Sequence, residues 1–302
     1  MGTVQKIRVF PENAELDFDI LFCANTNLIS PRSAGLRVQL FHGISFRNKA
    51  VREENLGCDY YFIAGPYMRR KFAEAGLLAE GDSRALPIGF LKTDRLVNGQ
   101  LRREDLLPRH GFDGSRPVLL YAPTGQRHNS METMGEQVLQ ELAENDRYDI
   151  LIKLHDHPKN DTINWSERLA PMENAHLKVT RELDVIPLLF LADLLITDAS
   201  SVSSKYSLMD RPIVFLDVPK LIKRAAKSGS LDTDTWGRRC GVLVEKPEQV
   251  AQAVAISLAE PQRQGEVRRA MAADLFYNPG RATDAAWTWL THAGCYATPP
   301  AR

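Results

Sequence analysis

The chain has 302 residues and a mass of 33.9 kDa, enough for one large α/β domain or two smaller ones. Thirty-eight basic residues balance thirty-eight acidic ones, and this zero net charge argues against the cationic footprint of a dedicated nucleic-acid binder. With 44% hydrophobic and 25% charged residues, the composition is that of a globular protein and not of a long disordered chain.

Short apolar runs alternate with longer amphipathic stretches, which predicts βα units around parallel sheets. Strands are expected at residues 18–24 (FDILFCA), 37–41 (RVQLF), 58–64 (CDYYFIA) and 85–89 (ALPIG). Helical periodicity covers residues 66–75, with Gly76 as its C-cap. The polar stretch from Asn98 to Pro117 carries Pro108, Gly111 and Gly114 and reads as the connection between two domains. A second series then starts, with strands expected at 118–122, 148–154, 177–179, 194–197 and 213–216. Helices are expected at 131–144, 184–191, 200–209, 247–258 and 282–291. The reading is therefore two Rossmann-like α/β domains, residues 1–115 and 116–302, with the linker inside the first. Four strands make that first domain thin beside the roughly six of a full doubly wound half, as if it were shortened.

Cys23, Cys58, Cys240 and Cys295 lie far apart and form no CxxC pair, which fits neither a zinc site nor a disulfide scaffold. A reducing cytoplasm suits them. No apolar run approaches the roughly 20 residues of a membrane span, and residues 1–10 lack the apolar centre of a signal peptide.

Four clusters sit where predicted strands end, the edge at which open α/β sheets bind ligands. In the first, Phe41-His42-Gly43, imidazole is a suitable general base for a hydroxyl nucleophile, and Gly43 permits a sharp turn or a close ligand. The same histidine could instead bond loop carbonyls. The second, Tyr121-Ala122-Pro123-Thr124, offers a threonine and backbone N–H groups to a phosphate, or is a plain strand exit. The third, Lys153-Leu154-His155-Asp156-His157-Pro158, invites a metal, but no other cluster is placed to complete the ligand set. A catalytic or phosphate-contacting His155 fits better, since it follows its strand directly while His157 is held extended by Pro158. In the fourth, Thr197-Asp198-Ala199-Ser200-Ser201, a strand ends and serines open a helix whose first turn favours an anion. Simple N-capping by Asp198 or Ser200 is the alternative.

Together these clusters resemble the CDP-glycerol glycerophosphotransferase family of teichoic-acid primases and polymerases. The resemblance rests on LFHG at 40–43, GFLKTDRL at 89–96, YAPT at 121–124, KLH at 153–155 and ITDASS at 196–201, followed by RPIVFLD, all in the family's order. It covers roughly residues 16–281. It implies a GT-B fold, His42 as catalytic base and His155 as the second catalytic histidine. Thr197, Asp198, Ser200 and Ser201 would hold the donor pyrophosphate, helped by Gly43, Thr124 and Arg281. Gly125 and Gln126 intervene before Arg127, and Lys205 stands where the family usually has an acidic residue.

The implied reaction is in-line attack by an acceptor hydroxyl on the distal phosphorus of a CDP-alcohol, expelling CMP, with no metal and no cofactor. The acceptor would be a polyol-phosphate, glycolipid or polysaccharide of the cell envelope or capsule, with no nucleic acid involved. The implied location is the cytoplasm, peripheral at the inner membrane face, where residues 219–227 (PKLIKRAAK) or Arg69-Arg70-Lys71 could meet anionic lipid. Both could equally be solvated surface. A UDP-sugar glycosyltransferase or epimerase, or a non-catalytic nucleotide-binding or polymer-binding relative, would present a similar two-domain cleft.

Overall fold

A computed structural model describes residues 17–24, 33–44, 50–144, 146–156, 158–160, 162–227, 232, 236 and 238–292. Two wholly parallel sheets form, the α/β GT-B-like architecture expected. Strands β1 (Asp17–Cys23), β2 (Ser33–Gln39), β3 (Tyr60–Phe62) and β4 (Ala85–Leu86) lie side by side in chain order. The second sheet contains β5 (Val118–Tyr121), β6 (Asp149–Ile152), β7 (Leu177–Val179), β8 (Leu194–Thr197), β9 (Ile213–Leu216) and β10 (Val242–Val244). Its spatial order is β10-β9-β8-β5-β6-β7.

Strands β5, β6, β8 and β9 read VLLY, DILI, LLIT and IVFL, and every position is buried. Such continuous apolar runs suit parallel strands covered on both faces. The first sheet is more open, and β1 exposes alternate residues over its first half. Strand β10 escaped the sequence reading because it has three residues and leaves Leu243 exposed. The helices Trp165–Leu169 and Gly265–Leu275 were likewise unexpected, as were the short ones Asp94–Val97 and, inside the expected linker, Arg103–Leu106.

One apolar core runs across both sheets. It joins Phe41, Ile63 and Phe72 of the first unit to Leu120, Leu151, Leu195 and Phe215 of the second. A separate cluster with Leu119, Ile150, Val138 and Val254 covers the other face of the larger sheet.

The chain then returns to its start. The helix Ala282–His292 lies on the first sheet, with Trp289 edge-on to Tyr60 at 4.7 Å and to Phe62 at 5.6 Å. The last described helix of the stretch expected as the second unit, 116–302, thus packs on the first. Asp94 accepts from the backbone N–H of Ala282 at 3.0 Å and of Thr283 at 2.7 Å, satisfying donors that a helix start leaves open. Gly89, at φ +103°, lets the returning backbone pass, because a Cβ there would collide with the Tyr277 carbonyl. The Gly89…Asp94 motif is therefore a clamp on the returning chain.

Candidate active site

In the larger sheet the chain runs from β5 outward through β6 and β7, then crosses back to lay β8 against the other side of β5. The carboxyl ends of β5 and β8 flank the point where the strand order reverses, where such sheets leave a ligand crevice. A cleft of about 630 Å³ opens there. His42, Gly43 and Lys92 line it from the first unit; Thr124, His155, Ser200, Ser201 and Lys205 line it from the second.

His42 is exposed beyond β2. The strand ends at Gln39, two residues earlier than expected, because Phe41 turns the chain at φ +58°. A bulky residue rarely adopts this conformation, and it persists only where its surroundings fix it. Here the buried Phe41 ring packs on Phe72 at 5.5 Å, and its N–H donates to Gln39 Oε1 at 3.2 Å. Of the two uses open to Gly43, a sharp turn or a close ligand, the turn falls instead to Phe41. A Cβ on Gly43 would meet nothing within 4 Å, so the glycine leaves open space beside His42.

Two of the expected ligand contacts lie under the cleft and do not line it. Thr197 is fully buried and its hydroxyl donates to the Ala122 carbonyl at 2.7 Å. Asp198 is equally buried; one carboxylate oxygen accepts from Thr124 N–H and the other from Ser130 N–H and Oγ, each at 2.9 Å. Burial pushes this carboxyl above the usual range, and those hydrogen bonds pull it back. Tyr121 OH donates to Ser130 Oγ at 2.9 Å and closes the network. Thr197 and Asp198 thus brace the loop carrying Thr124 and do not themselves reach the cleft. Ser130, absent from the sequence reading, shows no motif signal.

His155 leaves β6 into the cleft, exposed, three residues after the last strand position. A Cβ on Gly125 would stand 2.6 Å from both Cγ and Nδ1 of its ring, so the Gly125 departure makes room for this histidine. Lys159 N–H bonds the Gly125 carbonyl at 2.6 Å and ties the two loops together. Lys153 Nζ meets Asp156 Oδ1 at 2.5 Å and bonds the Leu154 carbonyl at 2.8 Å, pinning the same turn. His157 lies outside the described residues.

The helix expected at 200–209 is shorter: an α-helix at Val202–Tyr206, then a 3₁₀ turn at Ser207–Met209. Ser201 caps no N–H with its side chain, and Ser200 Oγ is 3.5 Å from Val202 N. Both serines line the cleft, Ser200 while its Oγ accepts this long bond from Val202 N–H. Five helical residues give little macrodipole, so charge must come from side chains. Lys205 is one source; burial pushes its ammonium down to about 8, and repulsion by Lys92 adds to this.

Arg281 is exposed and does not line the cleft; its N–H donates to the Asn278 carbonyl where the chain returns to the first sheet. Arg127 turns outward to the Lys159 carbonyl. In the basic cluster, Arg70 is paired with Asp274 and Lys71 with Glu74 and Asp232, while Arg69 bonds the carbonyls of Glu80 and Ala85. That cluster serves the fold.

A sequence model described as CDP-Glycerol:Poly(glycerophosphate) glycerophosphotransferase matches residues 34–284. A teichoic acid glycerol-phosphate primase of Bacillus spizizenii is 30% identical over 134 residues, 43% of this chain and 33% of that protein. A teichoic acid poly(glycerol phosphate) polymerase of Staphylococcus epidermidis is 30% identical over 180 residues, 55% of this chain and 24% of that protein. The matches thus span a third or less of either relative's length. Among solved structures, a wall teichoic acid polymerase TagF variant superposes with a TM-score of 0.64 at 22% identity, covering 86% of this chain and 68% of that one. Another TagF variant, soaked with CDPG, gives 0.64 at 20% identity, covering 86% and 67%. With more than half of its length inside the family's match, the chain belongs to the CDP-glycerol:poly(glycerophosphate) glycerophosphotransferase family.

Proposed function

We propose that the protein transfers glycerophosphate, or a related polyol-phosphate, from a CDP-alcohol to an acceptor hydroxyl and releases CMP. The observation that carries this reading is that His42 and His155, from opposite units, line one cleft together with Thr124, Ser200 and Ser201. His42 takes the proton of the acceptor hydroxyl as its oxygen bonds the distal phosphorus. The bond from that phosphorus to the bridging oxygen breaks, and the electron pair leaves with CMP. His155 attends the phosphates from the opposite wall, and the serine hydroxyls donate to them. Family membership supports the donor class, and the polymer-forming relatives support an envelope-polymer acceptor such as a polyol-phosphate, glycolipid or polysaccharide.

The enzyme would work in the cytoplasm at the inner membrane face. Among the described residues no helix is long and apolar enough to cross a membrane. The helix Pro219–Lys227, with Lys220, Lys223, Arg224 and Lys227 exposed, supports contact with that face.

A donor panel tests the reading. CDP-glycerol or CDP-ribitol should yield CMP in the presence of a polyol-phosphate acceptor, while UDP-sugars should yield no UDP. His42→Ala should keep its melting transition and lose about 10²–10⁴-fold in rate. Turnover of a UDP-sugar alone, or a His42→Ala rate within threefold of the parent, would sink the proposal.

A further inference from the structure

The cleft holds two lysine ammoniums that no carboxylate answers among the described residues. Lys205 is only 6% exposed yet lines the cleft, and among the described residues its Nζ has long contacts, 3.4 Å each, to the carbonyl oxygen and Oγ of Ser201. Lys92 lines the same cleft from the first unit, on the 3₁₀ turn Leu91–Thr93. It is near enough to Lys205 for their repulsion to be felt. Lys153 is different, because Asp156 answers its charge. Burying an unpaired ammonium is costly, and the group either pairs or gives up its proton. An arriving anion removes that cost. The serine and threonine hydroxyls nearby can orient a phosphate, but they carry no charge to neutralise it.

We propose that Lys205 and Lys92 form the cationic half of a diphosphate subsite, and that they make the cleft prefer two linked phosphates to one. The inference rests on the CDP-alcohol reading for the identity of the ligand, though not for its charge. Each lysine belongs to a different unit, so a diphosphate held by both would bridge the two walls. A diphosphate carries one phosphate for each lysine, whereas a lone phosphate has a single group to share between them. An ammonium beside the phosphate that departs with CMP would also offset the negative charge that grows as the bond breaks.

Calorimetric titration of the full chain with pyrophosphate, inorganic phosphate, CDP and cytidine tests this without reference to turnover. The parent should bind pyrophosphate more tightly than phosphate. Lys205→Met should weaken pyrophosphate and CDP roughly ten- to hundredfold and leave cytidine unchanged, in keeping with the loss of a charged hydrogen bond. Lys205→Arg should restore part of the loss. Lys92→Met, an exposed change, should erase most of the preference for pyrophosphate over phosphate. Lys205→Met should also melt no lower than the parent, since an apolar chain replaces a buried charge; a merely structural lysine would melt lower. A pyrophosphate affinity within twofold of the parent in both methionine variants overturns the subsite, as does an equal loss for all four ligands. Lysine-dependent pyrophosphate binding in a chain that releases no CMP from any CDP-alcohol overturns the donor reading and leaves the subsite standing.

Discussion

Gly125 shows how one missing side chain sets the position of a functional one. A Cβ there would press on the His155 ring at 2.6 Å, and the ring atoms it meets lie next to the histidine's own Cβ, where little torsional freedom is left. Gly125→Ala should therefore move the imidazole by a fraction of an ångström to an ångström. Displacements of that size cost up to about a hundredfold in reactions that depend on positioning. CMP release should fall ten- to hundredfold with the melting temperature within a few degrees of the parent; a rate within twofold of the parent would mean that His155 does not act where it stands. The histidines themselves were legible in the sequence, because each follows an apolar run directly. The roles of Thr197 and Asp198 were not, since a strand end shows which residue types are present but not whether they point into the cleft or beneath it. Both point beneath, where Ala122 O, Thr124 N–H and Ser130 supply complementary partners.

Whole strands proved easier to read than their neighbours' loops. The runs at Leu194–Thr197 and Ile213–Leu216 have the predicted limits, because parallel strands buried on both faces read as continuous apolar runs; the edge strand Leu177–Val179 also has them, though only Leu177 is buried. β2 ends early for a reason invisible in composition, the left-handed turn at Phe41. The Asp94 clamp was hidden as well: a carboxylate capping a helix 188 residues away leaves no local pattern. Asp94→Ala would remove the acceptor for two N–H groups at the start of Ala282–His292. It should lower stability by about 1–2 kcal/mol, the usual cost of a lost cap. Urea denaturation measures it, and a midpoint equal to the parent's would show that water replaces the carboxylate.

For the whole molecule, zero net charge conceals an uneven distribution. On Pro219–Lys227 the apolar Leu221 and Ala225 are buried against the protein, so only the cationic face is offered outward. Attachment through this helix would be electrostatic, worth about 1 kcal/mol per basic residue near an anionic surface and strongly screened by salt. The chain should sediment with phosphatidylglycerol vesicles at low ionic strength and not with phosphatidylcholine ones. Lys223→Glu with Arg224→Glu should abolish the effect; unchanged sedimentation of that double variant would place the contact elsewhere.

The return of Ala282–His292 to the first sheet means that the polypeptide passes between the two units twice, outward through residues 98–117 and back through 275–281. A body tethered at one point can swivel in any direction, whereas a body tethered at two turns about the line that joins them. Two crossings, with one apolar core shared by both units, restrain relative movement more than a single tether would. The alignment of the walls that carry His42 and His155 is thus held by the route of the backbone as well as by the side chains around them.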